Sequence, residues 1–272
     1  MLKDITLGQY FPIDSVLHKL DPRFKIIYTM LFIVMLFAGN HYWTLIIGAV
    51  FVIMAQLLSK VPLKMSWKSM KPLLPVLVFT AVLNLVFIDS GDTLWEWKFL
   101  KITQGGVNTS IFMICRIILL IVGSSLLTYT TSPILLTDAI ESLLKPLHTL
   151  FKLDIHSLAM TMTIALRFIP TLVEEVDKIM AAQKSRGADM ESGNILKRVK
   201  AIIPVLIPLF VSSFRRANDL AYAMECRCYR GGEGRTKMKQ MHLAARDYLA
   251  LVFVLLYLAA MVLIRVFIPN VL

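Results

Sequence analysis

Two arginines set among small residues, Ser185-Arg186-Gly187 and Cys226-Arg227-Cys228, are the residues in this chain whose type and setting most suggest a chemical task. Each closes an amphipathic helical pattern, where the carbonyls of a helix C-terminus favour a cation and a guanidinium can donate outward. Their small neighbours let another protein approach closely. That combination suits docking, with apolar anchors beside charge-assisted contacts. Groups for bond-making are missing. The histidines at 18, 41, 148, 156 and 242 have no metal-ligand spacing and no HExxH. Cys226 and Cys228 alone are a weak metal signal, explained more simply as small residues beside an arginine. The glycines at 231, 232 and 234 lack the Lys-Ser/Thr and the preceding strand of a phosphate loop. There is no Gly-x-Ser-x-Gly elbow and no acidic pair within an apolar run. No catalytic residue and no metal site are expected, and the chain reads as non-enzymatic.

The elements that must position the arginines are set by an apolar composition. Of 272 residues, 57% are hydrophobic and 17% charged, with a mean hydropathy of +0.69. Near-uncharged runs at 24–38, 43–58, 73–88, 111–130 and 248–266 approach the ~17–25 residues a helix needs to cross hydrocarbon. The net charge of +11 fits basic cytoplasmic loops of a membrane protein, and no nucleic-acid-binding motif accompanies it. The loop with Lys60, Lys64, Lys68 and Lys71 carries no acid and is assigned inside. The acidic, aromatic loop from Asp89 to Lys98 is assigned outside. The N-terminus is then cytoplasmic and the C-terminus external. No signal-peptide pattern opens the chain, and Cys115, Cys226 and Cys228 offer no disulfide framework. Arg116, five residues into its run, is expected to snorkel to the outer interface.

Between the fourth and fifth runs the period changes. Apolar residues fall at Leu136, Ile140, Leu143, Leu144 and Leu147 with Asp138, Glu141 and Lys145 between them. From Ile155 to Arg186 the stripe includes Ile169, Leu172, Val176 and Met180, and Gly187 is placed to stop the helix. A third pattern runs from Ala201 to about Tyr229, with Pro204 and Pro208 expected to bend or restart it and Phe214, Leu220 and Met224 on its apolar side. The fold class expected is all-α: a polytopic helical membrane protein with about five transmembrane helices and a cytoplasmic coupling region of amphipathic helices. Its parts are 1–130 with spans one to four, 131–240 as the coupling region, and 241–272 with the final span.

Four segments in this order resemble the transmembrane T component of energy-coupling factor (ECF) transporters, the EcfT / CbiQ-like family. They are Leu20-Asp-Pro-Arg-Phe-Lys25, Ala165-Leu-Arg-Phe-Ile-Pro-Thr-Leu172, Ser185-Arg-Gly187 and Ala221-Tyr-Ala-Met-Glu-Cys-Arg-Cys-Tyr-Arg-Gly231. The resemblance covers nearly the whole chain. Where the family's short motifs read close to Ala-Arg-Gly, this chain has Ser-Arg-Gly and Cys-Arg-Cys.

The resemblance implies a transmembrane scaffold in the bacterial cell membrane that couples two ATP-binding-cassette ATPases to uptake of vitamins or other micronutrients. The ATPases would dock at Arg186 and Arg227 with Ser185, Gly187, Cys226 and Cys228 around them. A small substrate-binding membrane subunit, the S component, would contact Leu136, Ile140, Leu143, Leu147, Ile169, Leu172, Val176, Met180, Phe214, Leu220 and Met224. ATP and magnesium would sit on the partner subunits, with no cofactor on this chain. The alternative reading is a self-sufficient secondary transporter or channel, for which the runs offer Asn84, Gln56 and Arg116, a thin set for a polar path.

Overall fold

A computed structural model describes residues 10–88, 90, 92–97, 100–151, 154–188, 195–231 and 243–267. Helices dominate: α1 (Pro22–Ala38), α2 (Tyr42–Ser59), α3 (Leu63–Met70), α4 (Leu74–Phe87), α5 (Gln104–Thr130), α6 (Pro133–Phe151), α7 (Ile155–Ser185), α8 (Ile195–Cys226) and α9 (Ala245–Phe267). The chain divides into two compact units, 8–139 with 240–272, and 140–239.

In the first unit the core joins Phe32 and Leu36 of α1, Leu45 and Val52 of α2, Phe112 of α5, and Tyr257 and Met261 of α9. Ring contacts reinforce it, Phe32 and Phe51 stacked at 5.6 Å and Phe51 and Tyr257 tilted at 4.7 Å between centroids. Gly123 of α5 permits a close approach, because a Cβ there would collide with the Phe32 ring. The outward residues are apolar as well, among them Val34, Ile53, Phe79, Leu256 and Val262. That exposure suits hydrocarbon as the surrounding solvent, which leaves helices to satisfy their own backbone.

Among the described residues, five helical stretches are long and apolar enough to cross a bilayer by length and composition: α2, the continuous stretch Leu63–Phe87, α5, α7 and α9. The set differs from the sequence expectation in two places. α1 has 17 residues, at the lower limit for a span. α7, read as amphipathic from its charged second half, carries a single charge, Arg167, over 155–172. The lysine-rich loop is also more ordered than expected. α3 and a 3-10 turn, Lys71–Leu73, run directly into α4, where Pro75 sits in the first turn. Gln56, a polar group within a span, is spent on this corner. Its Nε2 donates to the Val61 carbonyl at 2.8 Å and its Oε1 accepts from Ser66 at 3.2 Å.

Beyond α4 the acidic loop contains a short antiparallel pair, β1 (Thr93–Trp97) and β2 (Leu100–Thr103), with a bulge between Thr93 and Trp95. Periodicity did not reveal it, since five and four residues are too few to show a period of two. Asp89 and Lys98 of that loop lie outside the described residues. Arg116 corrects an expectation as well. It is buried, its guanidinium donating to the Gly39 carbonyl and to Asn40 Oδ1 at 3.2 Å and lying 4.5 Å from the Phe112 ring centre. The α1–α2 turn supplies acceptors within reach, so the charge is held by protein rather than by the interface.

Candidate docking interface

The second unit is organised by α7 and α8. Asp154 caps α7, its carboxylate accepting from the Ser157 amide at 3.2 Å. α8 begins at Ile195, earlier than expected, and continues through Pro204 and Pro208 as one helix. A proline has no amide to give the carbonyl four residues back, so Pro208 frees the Pro204 oxygen. Gln183 of α7 fills that gap, donating from Nε2 at 3.3 Å. Further along, Glu175 of α7 accepts from Arg216 at 2.6 Å and from the Ser212 hydroxyl. Both partners of the ion pair are only partly exposed, 36% for Arg216 and 22% for Glu175. These bonds run in opposite senses along the two helices, so α7 and α8 cross antiparallel.

The two helix ends have the same backbone construction. At α7, the Ala188 amide donates to Gln183 O at 3.0 Å and the Gly187 amide to Lys184 O at 3.0 Å. At α8, the Tyr229 amide donates to Met224 O at 3.1 Å and the Cys228 amide to Glu225 O at 2.8 Å. Each is a Schellman closure, with Gly187 and Cys228 in the left-handed region at φ 85° and 55°. Arg186 and Arg227 occupy the same C-cap position. The carbonyls two and three residues before each arginine are already taken by backbone amides, so neither guanidinium is needed for that closure. Ser185, Arg186, Gly187, Cys226, Arg227 and Cys228 are all exposed, and among the described residues neither arginine has an ion pair.

The spacing is symmetric too. Arg186 lies eleven residues past Glu175, and Arg227 eleven past Arg216. At 1.5 Å per residue that puts each arginine about 16 Å from the central ion pair, in opposite directions.

Comparison with known proteins bears on this arrangement. The family described as cobalt transport protein, CbiQ, matches residues 14–238. The energy-coupling factor transporter transmembrane protein EcfT of Ruminiclostridium cellulolyticum is 53% identical over 249 residues, 92% of each chain. The protein of that description from Clostridium kluyveri is 51% identical over 268 residues, 98% of each chain, and that from Bacillus subtilis 43% over 265, covering 97% of this chain and all of the relative. The chain belongs to the EcfT / CbiQ family. It is thus a multi-pass membrane protein of ECF-type transport.

Within this EcfT / CbiQ-family chain, the stripes read from sequence are placed as follows. Leu136, Ile140, Leu143, Ile169, Leu172, Val176, Met180, Leu220 and Met224 are half-buried, and Phe214 is 57% exposed. The Leu147 side chain lies outside those described, as do the His148 side chain and residues Gly232, Gly234 and His242. The more exposed apolar face lies on the first half of α8: Ile202, Ile203, Leu206, Ile207, Phe210 and Val211 join Phe214 there. From sequence the run 202–211 is recognisable as almost fully apolar, with a sixth span possible if 201–214 enters the bilayer, but a run apolar all round shows no stripe and so no face. The signal available was that such a run, too short for a span before Arg215, still had to be covered. Glu175, Ser212 and Gln183 were also missed, since pairing across helices leaves no local pattern.

The first segment of the resemblance, Leu20 to Lys25, has a different task in the other unit. Asp21 caps α1 by accepting from the Arg23 amide at 2.9 Å, while its own amide donates to Asp247 Oδ1 of α9 at 2.9 Å. Lys25 Nζ donates to the Thr130 carbonyl at 3.0 Å, the His18 carbonyl at 3.3 Å and Thr131 Oγ1 at 3.4 Å. The segment therefore ties together the beginnings of α1 and α9 and the end of α5. Next to it, His18 is kept neutral. Its Nε2–H donates to the Phe11 carbonyl at 2.9 Å, leaving Nδ1 to accept from Ser15 at 2.6 Å, and burial lowers its pKa from the ordinary 6.5. Among the described residues no group of three or more His, Cys, Asp or Glu could hold a metal ion.

Proposed function

We propose that this protein is the scaffold and coupling subunit of an ATP-driven ECF-type importer, non-catalytic itself, that takes up vitamins or other micronutrients. Two ATP-binding-cassette ATPases dock from the cytosol, one on Arg186 and one on Arg227, with ATP and magnesium held on those partners. A small substrate-binding membrane subunit rides on the apolar face of the α7–α8 pair, where Phe214 continues the exposed row from Ile202. The N-terminus and the 140–239 unit face the cytoplasm and the C-terminus faces outward, in the bacterial cell membrane.

The observation that carries this reading is the equivalence of the two helix ends. Two exposed arginines share one C-cap geometry and lie equally far, in opposite directions, from the Glu175–Arg216 pair. Such an arrangement meets two similar proteins related by a rotation near the crossing. It has no evident use for a pore or for a single partner. Closure of the ATPases would move the two ends together, and the crossing would pass that motion to the face that carries the substrate subunit.

The test is co-purification. The wild-type chain, expressed with its ATPases, is expected to retain two ATPase chains in mild detergent. R186E/R227E is expected to reach the membrane in normal amount and to lose both ATPases and ATP-driven uptake. Normal uptake by that double variant would refute the docking role. Substrate flux through liposomes containing this chain alone would favour a self-sufficient transporter or channel.

A further inference from the structure

We propose that the unit formed by 8–139 and 240–272 binds an anionic phospholipid, with one acyl chain in a crevice between α1, α2, α5 and α9 and the headgroup at Arg246. The crevice has a volume of about 330 Å3. Its floor is made by Phe32, Val52, Leu126 and Val254, all buried, and its rim by Leu58, Leu249 and Phe253, all exposed. Among the described residues, Lys25 and Arg246 are the only charged ones along it, and both lie at one end.

Its dimensions match a lipid tail better than a helix. From Lys25 to Phe32 on α1 and from Arg246 to Val254 on α9 the lining extends about 11–12 Å at 1.5 Å per residue. One leaflet's hydrocarbon is about 15 Å deep, half of the ~30 Å core. Spread over that length, the volume corresponds to a slot about 8–9 Å across from wall to wall, still narrower than the 10–12 Å of an α-helix with side chains. A hydrocarbon chain enters such a slot, and a partner helix would rest on its rim.

The charges at that end select the headgroup. Asp247, the acid nearest Arg246 in sequence, is committed elsewhere: Oδ1 accepts from the Asp21 amide at 2.9 Å and Oδ2 from the Ala244 amide at 2.8 Å. Arg246 is exposed and has no ion pair among the described residues. Lys25 meets only neutral oxygens, two carbonyls and a hydroxyl, at hydrogen-bond distance. Exposed Lys60 and Lys64 follow α2 at the same end of the α1–α2 hairpin. The buried carboxylates of Asp21 and Asp247 act on Lys25 from beyond hydrogen-bond distance. Against these two stand four cations, Lys25, Arg246, Lys60 and Lys64, so the polar end of the crevice is net electropositive at the depth where a phosphate would lie.

Native mass spectrometry of the full chain in mild detergent, incubated with phosphatidylglycerol or with phosphatidylcholine of the same acyl composition, tests this. Wild type is expected to retain one phosphatidylglycerol at least fivefold more than phosphatidylcholine. R246E is expected to erase that preference. A250F, which fills the slot from α9, is expected to abolish retention with unchanged Tm; A55F fills it from α2 should A250F lower the Tm. Equal retention of both lipids, or undiminished retention in a slot-filled variant of wild-type Tm, would overturn the proposal. So would a slot-filled variant that keeps its lipid but loses a co-purifying membrane subunit, since the slot would then seat protein.

Discussion

The ends of α7 and α8 look different in sequence and alike in structure. One reads Ser-Arg-Gly and the other Cys-Arg-Cys, yet both close with the same pair of backbone bonds, and both leave the arginine at the cap. The difference falls on the residue after the arginine. Gly187 enters the left-handed region without a Cβ, whereas Cys228 does so with one, at a cost of about 1 kcal/mol. What both ends preserve is the turn, not the side chain that makes it. The small residue after each arginine thus has a local reason for its size, the termination of the helix, and close approach by a partner is a second use of the same feature.

Reversing one charge at a time tests the equivalence of the two ends most severely. If the ends are equivalent docking points, R186E and R227E each leave the other end engaged. Each should then lower ATP-driven uptake by a similar factor. Removing one partner of a hydrogen-bonded interfacial charge pair costs about 2–5 kcal/mol, so affinity at the altered end should fall by about thirtyfold or more. Uptake assays of the two single variants in parallel decide it. Losses that differ by more than about tenfold would mean that the shared backbone geometry conceals unequal partners.

Much of this was legible in the sequence, for reasons particular residues make plain. The apolar runs are continuous, so four of the five expected spans coincide with helices long enough to cross, and Gly187 announced the end of α7 to the residue. The arginines stood out because each ends a helical pattern beside a residue too small to be anchoring anything. What stayed hidden depends on pairs far apart in the chain. Asp247 reaches back to Asp21, Glu175 across to Arg216, and Arg116 to the carbonyl of Gly39, and no local period encodes such partners. The exposed face of α8 was hidden for the opposite reason, since its residues are apolar on every side and periodicity has nothing to contrast.

A smaller effect separates the two caps. G187A places a Cβ at φ 85° and should destabilise the end of α7 by about 1 kcal/mol, while C228G relieves the corresponding strain at φ 55° and should stabilise the end of α8 by about 0.5–1 kcal/mol. A Cβ at Gly187 would meet no other atom within 4 Å, so the backbone alone sets the cost there. Limited proteolysis at each end, with Tm as the global measure, should therefore move in opposite directions for the two substitutions. Movement in the same direction would show that the left-handed residue is not what controls either end.

The smallest effect concerns how the two helices are held so that their ends stay comparable. Gln183 is three residues from Arg186, and its amide donates to a carbonyl that exists unpaired only because Pro208 follows four residues later. Among the described residues nothing equivalent stands beside Arg227, so this bond is where the two ends differ in support. Q183A should cost only about 0.5–1 kcal/mol, the usual net value of one hydrogen bond, and toward the lower figure because the site is exposed. P208A supplies the missing amide to the Pro204 oxygen from within α8. In that background Q183A should cost less than it does alone, and a double-mutant cycle on Tm reads the difference directly. If the two changes are simply additive, Gln183 is not compensating for the proline, and α8 bears the unpaired carbonyl without help from α7.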